Sequence, residues 1–208
     1  MLDFNIVGPI IGILAIIDVV VHLNLDFKKG VTNKTSHFSE PSTHIPTTVM
    51  VIVSIATLLS FTLVGIIPLV WLFSASEPFH FLLGTVYSPE FPVWLMGFIL
   101  LIAGILLHIW SRLVRQEMAA SWAMRNDHVL VTNRPYSRIR NPSYSSYFMC
   151  FIGLIIMLPS VITLILLIGI PGYYRVALIE EKHLQSHFGE EYDDYRNRSG
   201  RFFPRLKR

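Results

Sequence analysis

The sequence predicts an all-α integral membrane protein with about five transmembrane helices, the last two forming a tight C-terminal helical hairpin beside cytoplasmic loops. Three observations carry this reading. Hydrophobic residues make up 52% of the 208 and charged residues only 15%, well below the usual charged quarter of a soluble domain; mean hydropathy is +0.53. All 17 Lys and Arg fall in three segments, 28–34, 112–140 and 175–208. The apolar runs between them have the length and composition of membrane spans.

Basic loops stay on the cytoplasmic side, so the three segments are expected to share one face, with the N-terminus outside and the C-terminus in the cytoplasm. The length suits one compact membrane domain, read as N-terminal transmembrane helices over 1–114 and a polar, site-bearing region over 115–208. The net charge of +3 sits on one face and should attract anionic lipid head groups. No soluble basic domain stands apart from the spans, which argues against a nucleic-acid partner. The lone Cys150 excludes an internal disulfide and a cysteine metal cage, and no metal ligands are assigned.

Phe4 to Leu23 lacks the basic start and the cleavage site of a signal peptide, and reads as a retained span. Within it Asp18 and His22 lie four apart on one helical face. An intramembrane carboxylate is a functional candidate, but near a span end the two can simply pair or reach the interface, and no mechanism is built on them. Leu25 to Pro46 is polar and broken by Gly30, Pro41 and Pro46, hence a loop. Thr47 to Phe73 is the second span. Ser74 to Phe91 has no Lys or Arg and fits an external loop, with an interfacial turn around Phe79–Leu83. Pro92 to Ile109 is the third span, closed by Trp110 and Arg112 at the interface.

Tyr144 to Leu158 is apolar but short, reaching only about 20 Å. Pro159-Ser160 interrupts it, and Val161 to Ile170 runs into Pro171-Gly172. Both ends of this hairpin return to the basic face. The sequence holds no internal repeat and no inverted-repeat symmetry of the transporter kind.

Two segments carry chemistry. One runs from His128 to Tyr144 and includes Arg138, Arg140, Asn141 and Pro142; the other runs from Arg175 through Glu180 and Glu181 to Tyr195. Pro142 fits the first turn of a helix, whose amides and positive dipole end suit a carboxylate. Glu180 and Glu181 stand near an apolar span, where an unpaired carboxylate is costly, so with Arg175 they suggest a polar pocket at the membrane boundary. Two plainer readings stand beside this one: arginines that only obey the positive-inside rule, and a juxtamembrane helix salt-bridged through Arg175 and Lys182.

Taken together, His-x-Leu-Val, Pro-Tyr, Arg-x-Pro-x-Tyr and, after the hairpin, Glu-Glu-x-x-Leu-x-x-x-Phe-Gly-x-x-Tyr resemble the isoprenylcysteine carboxyl methyltransferases and the related phospholipid N-methyltransferases. The likeness runs from about Trp122 to Pro204. It implies a membrane enzyme that uses S-adenosylmethionine without a soluble Rossmann domain. By the resemblance the cofactor is contacted by His128, Val129, Leu130, Val131, Tyr136, Asn141, Pro142, Ser143 and Tyr144, with Glu180 and Glu181 closing the site. Arg175 and Glu180 become the residues of the catalytic centre, and Arg175 or Arg140 positions a carboxylate acceptor. The implied substrate is a lipophilic molecule or lipidated chain, and the apolar flank that the short hairpin leaves beside the loops is expected to admit it sideways from the bilayer.

The chain departs from the family pattern at Asn141, where His is usual, at Arg134 and Ser146, where Gly is common, and at Arg175. The family's Arg precedes the Glu-Glu pair by four residues and Arg175 by five, a difference of about 100° on a helix. A phospholipid amine or a small thiol is the alternative acceptor. More distant alternatives are an NADPH-dependent sterol reductase, a class that shares a similar C-terminal signature, and a non-catalytic scaffold.

Overall fold

The computed structural model describes residues 4–32, 44–74, 81, 83–115 and 129–205. His128 and most of the expected turn around Phe79–Leu83 lie outside the described residues. The architecture is all-α, as expected. Among the described residues the only β pairing is two isolated bridges, Thr85 with Ser160 and Ile139 with Gly200.

Helix α1 spans Phe4–Thr32, α2 Thr47–Leu72 and α3 Phe91–Arg115. The first and third run further than expected. In α1, no proline follows Pro9, and the helix continues through the start of the expected 25–46 loop. Its end is tied down where Arg112 Nη2 donates to Asp26 Oδ1 at 2.8 Å. In α3 the extension past Ile109 matters most. His108, Arg112 and Arg115 now follow one another at i, i+4 and i+7, which is one face of a helix.

Helix α4 is Pro142–Met157, with Pro142 in its first turn, where the missing N–H costs nothing. It packs on α3 at very short range through small residues, as membrane helices do. A Cβ added at Gly153 would lie 2.8 Å from both Gly97 O and Leu101 N. One added at Gly104 would lie 2.7 Å from Cys150 Sγ.

The break at Pro159-Ser160 is present. Ser160 caps the short helix α5, Val161–Leu164, and exchanges bonds with Thr163 in a capping box. A 3-10 turn over Ile165–Ile168 leads into α6, Gly169–Phe188. Here the expected end at Pro171-Gly172 is corrected: the helix runs through both. Pro171 is the third residue of α6, still within the first turn, where no intrahelical donor is needed. The arm Val161–Phe188 is therefore 28 residues long. Among the described residues four helical stretches are long and apolar enough to cross a membrane, and α4, at 16 residues, is shorter. Outward-facing Ile13, Ile16, Leu58, Met96, Ile99 and Val161 are exposed, as a hydrocarbon surround requires. Gly189, with φ +54°, turns the chain into α7, Glu190–Arg198. Tyr192 and Tyr195 of α7 bury against Leu130, Leu184 and Phe188.

Candidate active site

The start of α4, the C-terminal half of α6 and the chain after α7 are tied together by one carboxylate. Glu181 Oε1 accepts from Asn141 Nδ2 at 2.9 Å, from Arg140 Nε at 3.2 Å and from Arg201 Nε at 3.0 Å. Its Oε2 accepts from Arg201 Nη2 at 2.9 Å. Arg140 also donates to Ser199 O at 2.6 Å, and the backbones pair where Arg140 N meets Gly200 O at 2.8 Å and Asn141 N meets Arg201 O at 3.0 Å. The hydrogen bond to Glu181 raises the Arg201 pKa above its ordinary value. Two cations on one buried carboxylate satisfy the desolvation cost that an unpaired charge would leave.

Glu180 is also buried, on another side of α6, and hydrogen-bonds the Tyr144 hydroxyl. Arg115 of α3 interacts electrostatically with Glu180 and with the hydroxyls of Tyr136, Tyr144 and Tyr147. Beyond these groups lies a cavity of about 470 Å³ between α1, α2, α3, α4 and α6. Its polar lining comes from His22, His108, Arg112, Arg115, Ser143 and Tyr144; Met50, Val53, Leu58 and Val176 make an apolar flank. The rings of Tyr144 and Tyr147 stand 4.9 and 4.8 Å from that of Tyr173, and the Tyr173 hydroxyl shares a short hydrogen bond with Thr57. Such a volume, mostly apolar with a few convergent polar groups, is typical of a small-molecule site.

The residues expected from the sequence divide accordingly. Ser143 and Tyr144 line the cavity. Tyr136, Asn141 and Pro142 are buried directly behind it, Tyr136 donating to Ser111 O at 3.4 Å. Leu130 packs under α7, and Val129 is exposed beside it. Val131 is half-buried and Arg175 is exposed on α6. His108, Arg112 and Arg115 were not singled out from sequence as site residues; their i, i+4, i+7 spacing at the end of a span was the available signal. Asp18 and His22 do pair, as expected, at 3.6 Å, but a third group joins them: His108 Nδ1 lies 3.1 Å from Asp18 Oδ1.

Residues 93–191, from the first turn of α3 into α7, match the family described as phospholipid methyltransferase. The chain is 32% identical over 96 residues to a protein-S-isoprenylcysteine O-methyltransferase of Saccharomyces cerevisiae, covering 45% of this chain and 37% of that one. It is 37% identical over 81 residues to the Tribolium castaneum protein of the same name, covering 38% and 29%. A nickel-cobalt-cadmium resistance protein of Alcaligenes xylosoxydans xylosoxydans is 39% identical over 83 residues, 39% of each chain. The chain thus spans less than two-fifths of these relatives. The fold and these matches define a multi-pass, all-α membrane protein built around a shared methyltransferase-type segment. Residues 93–191 are thus similar to the phospholipid methyltransferase family, and parts of the chain are similar to the two isoprenylcysteine O-methyltransferases.

Proposed function

We propose that this protein is an S-adenosylmethionine-dependent methyltransferase of the membrane, acting on a lipophilic acceptor, a carboxylate of the isoprenylcysteine type. The carrying observation is the cavity itself, which joins Arg112 and Arg115 to a wall of tyrosines and an apolar flank. That combination suits an acceptor with an anionic head and a hydrocarbon tail.

The residues present fit the cofactor. Glu180 and Arg115 place opposite charges beside Tyr144, suited to the ammonium and carboxylate of an amino-acid end. The Tyr144, Tyr147 and Tyr173 rings suit a sulfonium through cation–π attraction. S-adenosylmethionine supplies an already activated methyl group. The chain therefore needs to hold the acceptor in line, exclude water and stabilise charge, which orientation and desolvation achieve without a general base. Under this reading Glu180 contacts the cofactor, Arg112 or Arg115 orients the acceptor carboxylate, and Glu181 fixes Asn141 at the start of α4. With Arg175 exposed, the α3 arginines support acceptor positioning better. The cavity takes in Arg112 and Arg115 at the end of α3, the end of the bundle that the positive-inside rule assigns to the cytoplasm.

A phospholipid amine is the second reading, favoured by the family match; paired arginines at the cavity favour an anion over a cationic or neutral amine. The test is ligand protection of the detergent-solubilised protein. S-adenosylhomocysteine should raise the melting temperature by mass action and NADPH should not. Protection by NADPH alone would overturn the reading in favour of a reductase.

A further inference from the structure

Asp18 and His22 of α1 and His108 of α3 each offer a ligand atom, and these atoms lie within 4.8 Å of one another. Asp18 and His108 are only 5% and 4% exposed, at membrane depth where a carboxylate is costly. The Asp18 Oδ1 atom stands 3.1 Å from His108 Nδ1 and 3.6 Å from His22 Nδ1. Ligand atoms about 2.0–2.1 Å from a tetrahedral zinc ion are about 3.3–3.4 Å apart, which these two distances bracket. The imidazoles are stacked at 4.9 Å, and His108 is flanked by Tyr147 at 4.9 Å and Phe61 at 6.1 Å, so the rings are held in place by packing. The cluster also sits between two cavities. His22 and His108 line the 470 Å³ chamber, and Asp18 and His108 line a second one of about 240 Å³.

We propose that Asp18, His22 and His108 form a divalent transition-metal site whose fourth position opens to the larger cavity. Two imidazoles and one carboxylate are the donor set of three-ligand zinc sites that keep an open position. Nitrogen-rich donors select zinc, cobalt or nickel over magnesium or calcium. A metal ion would displace the proton of the His108–Asp18 hydrogen bond, so binding releases protons. His22, with its side chain 27% exposed, is the ligand on the entry side. Arg112 lines the same cavity, and its ion pair with Asp26 at 2.8 Å partly offsets its repulsion of a cation. This site is independent of the methyl-transfer reading and is tested without it.

The experiment uses the full chain in detergent, purified without a histidine tag, stripped with chelator and titrated with cobalt(II). About one ion per chain should bind, with the intense visible bands of a tetrahedral ion. A small thiol should then perturb those bands by filling the open position. Asp18→Asn and His108→Gln should each weaken binding by more than the 10–100-fold that loss of an outer-shell partner costs. His187→Gln, on the exposed end of α6, should bind as the wild type does. Melting without metal checks that the variants remain folded. If a variant melts early, X-ray absorption of the wild-type cobalt complex decides instead, and must show two imidazole ligands. No cobalt uptake by the wild type, unchanged binding in both folded variants, or fewer than two imidazoles overturns the proposal. A thiol-insensitive spectrum overturns the open position.

Discussion

Arg140 and Glu181 stand 3.2 Å apart, Nε to Oε1, and this contact joins the entrance of α4 to the middle of α6. Arg140 simultaneously holds the carbonyl of Ser199, while Arg201 closes on the same carboxylate. The site loop, the last long helix and the C-terminal strap therefore share one anchor. Removing the carboxylate leaves two guanidinia near each other with their common partner gone.

Glu181→Ala should accordingly cost about 3–5 kcal/mol, the range for breaking a buried ion pair from one side. Arg201, more exposed than Arg140, should matter less, so Arg201→Ala should cost clearly less than Arg140→Ala. Chemical denaturation in detergent micelles measures all three. Equal, small effects would show that the knot contributes nothing.

The α3–α4 contact makes a second prediction. At Gly153 a methyl group would stand 2.8 Å from the backbone of α3, and backbone cannot step aside as a flexible side chain can. Gly153→Ala should therefore destabilise by about 1–3 kcal/mol, the usual cost of overpacking. Gly65→Ala, with open space around it, should cost nothing by crowding. Paired thermal melts of the two variants give the answer.

Much of this architecture was legible in the sequence, because proline position and hydropathy act locally. Pro142 opens α4 and Pro159-Ser160 breaks the chain as expected. Pro171 misled, since the same residue that stops a helix in its interior is accepted in its first turn, and only the preceding 3-10 turn sets which case applies. The α3 stripe was hidden by the positive-inside rule, which explains Arg112 without requiring a role inside the bundle. The pairing of Asp18 with His108 crosses 90 positions, and no periodicity within either helix reports it.

The cofactor arrangement predicts a contrast between Glu180 and a distant glutamate, Glu190. Glu180→Ala should weaken S-adenosylmethionine binding by about 1.5–3 kcal/mol, the worth of a hydrogen bond to a charged group. Glu190→Ala, on the exposed start of α7, should change it little. Isothermal titration in detergent is the measurement. Equal effects from the two would move the cofactor away from the Tyr144–Glu180 pair.

Sidedness is tested by labelling single cysteines placed at Lys34, Glu90 and Lys207. The positive-inside rule puts the first and third on one side and the second opposite. Lys34 and Glu90 positions labelled from the same side would sink the topology, and with it the cytoplasmic entry of the cofactor.

The last prediction concerns the acceptor. The cavity lies among helices whose outer faces are apolar, and its lining passes from Arg112 and Arg115 to Met50, Val53 and Leu58 of α2. An acceptor can therefore keep its tail in lipid while its head group meets the arginines. Each CH₂ transferred from water contributes about 0.8 kcal/mol, so methylation of dilute acceptors sharing one head group should rise steeply with tail length. S-alkylated cysteine carboxylates of increasing length provide the series, assayed in proteoliposomes with a fixed lipid content. Arg112→Ala and Arg115→Ala should raise the KM of the carboxylates while leaving the dependence on tail length intact, because head and tail are held by different parts of the cavity. Short water-soluble acceptors methylated as efficiently as prenyl-length ones would refute lateral entry and favour a small thiol or amine as the substrate.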